Sequence, residues 1–220
     1  MALISVIDYG MGNLSSVSKA LESSGGVNIA ITSSAEKILS SDGVVLPGVG
    51  AFDAAVRNLK KSGLWKILPR LVSDKPFLGI CLGFQLLYEG SEEGNEAGLG
   101  ILKGKIKLFR SRRYRKLRVP HIGWNNVEYK KNENRPPALS GIPSGAYFYF
   151  VHSYYAPLIR VSGSDSGDKE IIRCHTTYGD IKFCSAVSFN SGRSFACQFH
   201  PEKSSEDGLR VIKNFVSSVK

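Results

Sequence analysis

A cysteine, a histidine and a carboxylate occupy positions from which they could form an activated thiol nucleophile. Cys81 ends the short apolar run that begins at Phe77, with glycines two residues before and two residues after it. His200 and Glu202 follow another apolar run near the end of the chain. These three residue types supply the nucleophile, the base and the orienting acid of covalent catalysis. The pattern therefore predicts a cysteine-based catalytic centre.

The residues around Cys81 are those expected of a reactive thiol. A thiol is a weak nucleophile while it is protonated, and a helix N-terminus or a neighbouring imidazolium lowers the pKa of a thiol. A helical pattern starts at Leu82, so the helix would begin at the sulfur. Gly79 and Gly83 would allow a tight strand-to-helix turn, and we expect a larger residue at either position to clash.

His200 and Glu202 are spaced so that their side chains can meet. Residues i and i+2 of an extended segment point to the same side. Pro201 lies between them, restrains the backbone and favours an extended conformation at His200. The Glu202 carboxylate could then hold one ring nitrogen while the other nitrogen faces the thiol.

The elements that carry these residues alternate between strand and helix in the first part of the chain. Strands are predicted at residues 3–8, 27–31, 43–46 and 77–80. Helices are predicted at residues 14–22, from residue 33, at 51–59 and at 64–71. Strands that alternate with helices indicate an α/β fold with a parallel sheet and helices on both faces. The fourth strand delivers Cys81 to the edge of that sheet.

The second half of the chain has a different character. It is rich in β-branched and aromatic residues with few helical signals, so we predict antiparallel strands that extend the sheet. The candidates are residues 119–129, 146–153, 170–176, 181–189 and 194–199. A closing helix is predicted at 204–217, with Leu209, Ile212, Phe215 and Val216 packed inward. We expect residues 1–220 to form one domain.

Composition narrows the class of protein. The chain has 220 residues, of which 42% are hydrophobic, so it can bury a substantial core. It has no apolar run of about 18 residues and no basic N-terminal region, so we expect neither a membrane span nor a signal peptide. None of the four cysteines forms a Cys-x-x-Cys pair, which favours a reducing, cytoplasmic setting. His175 beside Cys174 has no second ligand pair, and we predict no metal site.

The net charge of +10 is concentrated in one segment. Residues 103–118 hold nine Lys or Arg and no acidic residue. Such a segment could contact nucleic acid, a phosphate-bearing ligand or an acidic protein face. It could equally be a solvated strand with Ile106, Leu108 and Phe109 facing inward, which is the interpretation we favour; we expect no nucleic-acid partner.

The motifs around the three chemical residues resemble those of the class I, or triad, glutamine amidotransferase family. Gly79, Cys81, Gly83 and Gln85 match its Gly-x-Cys-x-Gly-x-Gln motif, and residues 200–202 match its His-Pro-Glu motif. The resemblance implies a flavodoxin-like α/β fold and hydrolysis of the glutamine side-chain amide through a thioester, with no cofactor.

The resemblance also implies a role for each matched residue. Cys81 would attack the amide carbon, His200 would protonate the departing ammonia and later activate water, and Glu202 would orient His200. Backbone N–H groups of Leu82 and of Val49 or Gly50 would hold the oxyanion. The substrate contacts would come from Gly50, Gln85 and the Ser153–Tyr154 backbone.

Within this family, the loop at residues 46–52 resembles that of the glutaminase subunits of imidazole glycerol phosphate synthase, which serve histidine biosynthesis. The segments at residues 7–14, 120–125 and 149–154 point the same way. The resemblance implies a heterodimer with a (β/α)8-barrel cyclase, to which ammonia passes through the interface. Because ammonia released without a waiting acceptor would be protonated and the glutamine wasted, we expect low activity for the isolated subunit and activation when the cyclase holds its nucleotide substrate.

Asn13, Trp124 and Asn125 match segments that face the cyclase in these enzymes. Alternatives remain for two of them: a local turn hydrogen bond for Asn13 and a core position for the Trp124 ring. Three other functions also remain open. They are an amidotransferase subunit that feeds a different synthase, a γ-glutamyl peptidase, which Gln85 and the Trp124 segment disfavour, and a basic nucleic-acid-binding module.

Overall fold

The computed structural model describes residues 1–110, 117–129, 135–158 and 171–219, which contain twelve strands and six α-helices. The strands are β1 (Ala2–Ile7), β2 (Val27–Thr32), β3 (Gly43–Leu46), β4 (Phe77–Ile80), β5 (Tyr88–Ser91), β6 (Leu102–Leu108), β7 (His121–Val127), β8 (Ala146–His152), β9 (Tyr154–Pro157), β10 (Ile172–Tyr178), β11 (Ile181–Phe189) and β12 (Ser194–Cys197). The helices are α1 (Leu14–Ser23), α2 (Ala35–Ser40), α3 (Phe52–Lys61), α4 (Leu68–Asp74), α5 (Leu82–Gln85) and α6 (Ser205–Val219). Short 3₁₀ turns cover Leu64–Lys66, Pro137–Leu139 and Pro201–Lys203.

Across the described residues, ten strands form one mixed sheet in the order β2-β1-β3-β4-β12-β11-β9-β6-β5, with β10 paired to β11. The first five are mutually parallel. Their order is that of the doubly wound, flavodoxin-like sheets. Strands β11 and β9 then continue the sheet in antiparallel pairing. The predicted α/β fold with a mostly parallel centre and an antiparallel extension is confirmed.

The central strands are buried on both faces. Every residue of β3, β4 and β12 is buried, as parallel strands covered by helices require. Leu78 packs in the core cluster that contains the apolar faces of α1 and α6, whereas Phe77 packs in the cluster with α3 and α4. Because β1, β3 and β4 are parallel, their carboxyl ends lie at the same end of the sheet, where ligands bind in such folds.

The hairpin of β7 and β8 departs from the prediction. These strands pair with each other in a separate two-stranded sheet instead of extending the central one. One face of the hairpin buries Phe148 and Phe150 in the core, and Phe148 stacks on Phe199 at a centroid distance of 4.2 Å. The other face exposes Ile122 and Trp124. Alternation in the sequence predicts a strand, but it does not determine which sheet the strand joins.

Several helix predictions need correction. Leu209 is 44% exposed, not packed inward, because the buried stripe of α6 runs through Gly208, Val211, Ile212, Phe215 and Val216 and passes beside it. The helix predicted at 64–71 is a 3₁₀ turn followed by α4, and α5 is a single turn. Strand β5 was not predicted. The predicted strand at 170–176 begins at Ile172, and residue 170 lies outside the described residues.

Residues 103–108 of the basic segment lie in strand β6. Lys103, Lys105 and Lys107 are exposed, Ile106 and Phe109 are buried, and Leu108 is half-buried. This alternation supports the interpretation of a solvated strand; residues 111–116 lie outside the described part of the chain. Among the described residues, no helix has the length and apolar character needed to cross a membrane.

Candidate active site

Cys81 lies in a strained turn between β4 and α5. Its φ of 54° and ψ of −104° are unusual for a residue other than glycine and cost on the order of 1–3 kcal/mol. The Cys81 amide donates to the Cys197 carbonyl of β12 at 2.8 Å. The Cys81 carbonyl accepts from the amides of Phe84 and Gln85 at 3.1 Å each. These bonds hold the strained residue at the edge of the sheet.

The glycines that flank Cys81 leave room for this turn. A Cβ at Gly83 would lie 1.9 Å from the Leu46 carbonyl oxygen, which no small adjustment can relieve. A Cβ at Gly79 would lie 3.1 Å from the Cβ of Ala196, a tight but smaller conflict. The predicted clash is thus confirmed at Gly83, where helix α5 sits directly against β3.

His200 and Glu202 form a buried pair at the end of β12. His200 Nδ1 lies 2.8 Å from Glu202 Oε1, and the two side chains are 3% and 1% exposed. His200 has extended backbone angles, as predicted from Pro201. The carboxylate oxygen can only accept, so Nδ1 carries a proton and Nε2 is the nitrogen left for chemistry.

The charge state of His200 suits a partner of the thiol. Burial lowers the pKa of His200, but the interactions with Cys81 and Glu202 outweigh burial and raise the pKa to about 10. Nε2 is buried and makes no hydrogen bond to a described residue. The raised pKa favours the protonated, positively charged ring at neutral pH.

A cavity of about 360 Å³ opens beside the thiol. This volume suits a small ligand. It is lined by Val49, Gly50, Cys81, Leu82, Gln85, Glu93, Pro120, Val151, His152, Ser153, Tyr154 and His200. All the residues predicted for the oxyanion and the substrate line this one cavity, as do the nucleophile and the base. Glu202 is not part of this lining and contacts the Nδ1 side of the His200 ring.

Gln85 is held in place by two acceptors. Its Nε2 donates to the Tyr154 carbonyl at 3.1 Å and to Gln198 Oε1 at 2.9 Å. Gln198 Nε2 in turn lies 3.6 Å from the Cys81 sulfur. Because both N–H groups of Gln85 are used, its carbonyl oxygen is the group left to contact a ligand.

The Leu82 amide, which is predicted to hold the oxyanion, is bonded to the protein's own backbone. The Leu82 amide donates to the Gly48 carbonyl at 3.3 Å. In a trans peptide the carbonyl and the N–H point in opposite directions, so the Val49 N–H faces away from Leu82. The Tyr9 hydroxyl donates to the Pro47 carbonyl at 2.9 Å and holds the start of this loop. Burial and the neighbouring Cys81 raise the pKa of Tyr9, which keeps this donor protonated.

The match to a family of known proteins covers nearly the whole chain. The model of the class-I glutamine amidotransferase family matches residues 5–219. The chain belongs to the class I glutamine amidotransferase family. Two curated relatives, both imidazole glycerol phosphate synthase subunit HisH, are 44% identical to this amidotransferase. The one from Gloeothece citriformis aligns over 221 residues and the one from Synechocystis sp. over 223, each covering 100% of this chain and 98% of the relative.

A solved structure supports the fold alone. PurLQS from Thermotoga maritima superimposes with a TM-score of 0.66 and 18% identity, and the alignment covers 100% of both chains. At this identity the likeness speaks for the shared architecture of the amidotransferase sheet and not for its substrate or partner.

The residues predicted for a partner interface lie outside the cavity lining. Asn13 is exposed, and its side chain accepts from the Ser16 amide at 3.3 Å, so the local turn hydrogen bond predicted as an alternative is present. Trp124 is 52% exposed, so the core interpretation of its ring is wrong. Asn125 donates to the Thr177 carbonyl at 3.0 Å.

Three residues of this amidotransferase site were missed by sequence reasoning. Glu93 and His152 line the cavity, and Gln198 bridges Gln85 to the thiol. Gln198 left a usable signal, since it is the one polar residue in the apolar run 195–199 that precedes His200. Glu93 lies in a polar loop whose pattern gives no sign of a ligand.

Proposed function

We propose that this chain is the glutaminase subunit of imidazole glycerol phosphate synthase. In this role it hydrolyses L-glutamine to glutamate and ammonia, which a cyclase subunit uses in histidine biosynthesis. One observation carries the proposal: Cys81, His200 and Gln85 converge on one cavity in a chain that is 44% identical, over its full length, to HisH subunits.

The cavity offers groups that match an amino acid substrate. Glu93 places a carboxylate in the lining, where it would attract the α-ammonium of glutamine. The carbonyl oxygen of Gln85 is available as a further acceptor, and the Ser153–Tyr154 backbone borders the same space. These contacts would place the side-chain amide of glutamine at the thiol.

The reaction would follow the order of a covalent acyl transfer. The Cys81 thiolate attacks the amide carbon, and the carbonyl oxygen takes the negative charge. The C–N bond then breaks as nitrogen takes a proton from His200, so that ammonia leaves and a thioester remains. His200 next accepts a proton from water, the hydroxide displaces the thiolate from the acyl carbon, and glutamate departs. Glu202 keeps the ring oriented throughout.

The blocked oxyanion site implies a low resting rate. Rotation of the Gly48–Val49 peptide would free the Leu82 amide and turn the Val49 N–H toward the cavity. Loss of one oxyanion donor typically costs about 10²–10³ in turnover. We therefore propose that a partner favours the rotated loop and raises the rate by at least that factor.

The partner we propose is a (β/α)8-barrel cyclase that docks as a heterodimer. Ammonia loses its nucleophilicity once it is protonated in bulk water, so the two sites need a shielded connection. We assign this contact to Asn13, Trp124 and Asn125, together with the exposed apolar side chain of Ile122 on β7. The four cysteines are free thiols, which supports a reducing, cytoplasmic setting.

The test is ammonia release from glutamine by the chain alone, with cyclase, and with cyclase plus its nucleotide substrate. We expect a low rate for the isolated chain and a large increase in the complete mixture. Cys81→Ala should abolish the reaction while the complex still forms. Cys174→Ala removes a buried thiol outside the cavity and should leave the rate unchanged. Parental turnover by the Cys81→Ala variant, or no response to cyclase, would overturn the proposal.

A further inference from the structure

A hydrogen-bonded chain of side chains runs from β7 to the wall of the cavity. Asn125 Nδ2 lies 3.4 Å from His121 Nε2, and His121 Nδ1 lies 3.0 Å from His152 Nε2. His152 Nδ1 then lies 2.7 Å from the Tyr154 carbonyl oxygen. The register of the β7–β8 hairpin pairs His121 with His152 directly, so the chain follows from the strand pairing.

The chemistry of the end group fixes the direction of every bond. A carbonyl oxygen only accepts, so His152 Nδ1 carries the proton. In an uncharged ring His152 Nε2 must then accept, so His121 Nδ1 is also protonated and His121 Nε2 accepts from Asn125. The other N–H of Asn125 is used by the Thr177 carbonyl, and its oxygen accepts from the Asn126 amide. Each ring is thus held in one tautomer.

Burial and packing keep both rings uncharged and in place. His121 and His152 are 3% and 6% exposed. Burial lowers the pKa of His121 to about 4; burial, together with His121 and His200, lowers the pKa of His152 to about 3. His121 is stacked between Phe150 and Tyr178, with ring centroids 5.0 Å and 4.0 Å away.

The last member of this series of hydrogen bonds is the Tyr154 carbonyl, which also holds Gln85. The Tyr154 carbonyl accepts from His152 Nδ1 and from Gln85 Nε2, and these two bonds use both of its lone pairs. Together with Gln198 Oε1, this carbonyl therefore determines where the Gln85 amide lies and which of its atoms faces a ligand.

We propose that His121 and His152 are positioning residues, which fix the Tyr154 carbonyl and the Gln85 side chain for glutamine and tie both to Asn125 on β7. The inference rests on the proposed function, because it assigns both histidines to the binding of glutamine. Neither ring takes part in bond breaking. Loss of these hydrogen bonds should weaken glutamine binding in the ground state and the transition state alike, so the KM rises while kcat stays the same.

The kinetic test uses the complex with cyclase and its nucleotide. His152→Phe removes both nitrogens and should raise the KM for glutamine by about five- to tenfold, with kcat within about twofold of the parental value. His152→Asn retains a donor at the position of Nδ1 and should recover most of the parental KM. His121→Phe keeps the stacked ring, removes only the nitrogens and should give an intermediate KM. An unchanged KM in both Phe variants, or a fall in kcat at constant KM, would refute the inference.

A second measurement uses the unaltered chain and so does not depend on how the variants fold. The chain has 4 histidines, so the ¹⁵N spectrum of its imidazole rings can be assigned residue by residue. We expect His121 and His152 to be neutral at pH 7, each with the proton on Nδ1. A neutral ring protonated on Nε2, or an imidazolium, at either position would contradict the inference. Absence of glutaminase activity in the parental complex would instead count against the proposed function, whatever tautomers the spectrum shows.

Discussion

The amide of Leu82 donates to the carbonyl of Gly48 at 3.3 Å, directly beside the thiol of Cys81. Cys81, His200 and the cavity are therefore in place while the Leu82 amide, which we propose as a donor to the oxyanion, is still occupied. In the proposed mechanism the two halves of the catalytic machinery are separable, because His200 assists the thiol and the loop at Gly48 stabilises the transition state.

This separation predicts different responses of two reactions to the partner. Alkylation of Cys81 by iodoacetamide needs the thiolate but no oxyanion site. We expect the cyclase with its nucleotide to raise glutamine hydrolysis by about 10² or more. The alkylation rate should change less than about tenfold, after correction for access to the thiol. Alkylation followed by mass spectrometry and ammonia release can be measured on the same samples. Equal stimulation of both reactions would show that the partner activates the thiol and not the loop.

The raised pKa of His200 predicts a shift of the pH profile when Glu202 is neutralised. The His200 ring stays protonated until the pH rises through about 10, and Glu202 is one of the causes. Glu202→Gln removes that charge, so the imidazolium is lost at a lower pH. The basic limb of kcat/KM should then move to lower pH by one unit or more, in addition to any loss of rate.

The matched control for this profile is Glu206→Gln. Glu206 is an exposed carboxylate in the first turn of α6, and its replacement should leave the basic limb where it is. If Glu202→Gln kept the parental basic limb, the carboxylate would not be what holds the proton on His200.

The three predicted triad residues can be identified from the sequence because each lies in a local motif. Cys81 is flanked by two glycines, and His200 and Glu202 are spaced on either side of a proline. By contrast, Gln198 and His152 act through neighbours brought to them by strand pairing, which no local pattern records. The separate sheet of β7 and β8 was missed for the same reason, since alternation reveals a strand but not its neighbour.

Gln198 is expected to contribute to the reactivity of the thiol. It is fully buried, its Nε2 lies 3.6 Å from the Cys81 sulfur, and its Oε1 accepts from Gln85. Gln198→Leu removes a donor that stabilises the thiolate, a contact worth about 1.5–3 kcal/mol when the acceptor is charged. The alkylation rate of Cys81 should fall by roughly 10- to 100-fold. Gln198→Glu keeps the size and an acceptor for Gln85, and its ionised carboxylate has no donor and repels the thiolate, so the alkylation rate should fall at least as far. A parental rate in both would exclude this role.

The close approach of α5 to β3 predicts that adding one methyl group at Gly83 strongly lowers the stability of the protein. A Cβ at Gly83 would lie 1.9 Å from the Leu46 carbonyl oxygen, so Gly83→Ala must push the helix and Cys81 away from the sheet. We expect a loss of more than about 3 kcal/mol in the free energy of unfolding, or no folded protein. Gly90→Ala is the control, because a Cβ there would meet nothing closer than 3.6 Å. Urea unfolding of the two variants tests the prediction, and equal stability would contradict it.

The lowered pKa of His121 predicts an acid dependence of stability that its replacement should remove. A histidine whose folded-state pKa lies below its unfolded value of about 6.5 binds its proton more readily in the unfolded chain. Its contribution to stability is fully present above pH 6.5 and is lost as the pH falls toward 4. His121→Phe keeps the stacked ring but cannot titrate.

The comparison is made between the parental chain and the His121→Phe variant. Urea unfolding at pH 7 and at pH 5 gives the difference in the free energy of unfolding between the two proteins. Carboxylates that titrate in this range affect both proteins and cancel in that difference. We expect any deficit of the variant at pH 7 to shrink by roughly 1–2 kcal/mol at pH 5, because only the parental chain has this buried ring to protonate. A deficit that stays constant or grows on acidification would mean that His121 is not held uncharged in the folded protein.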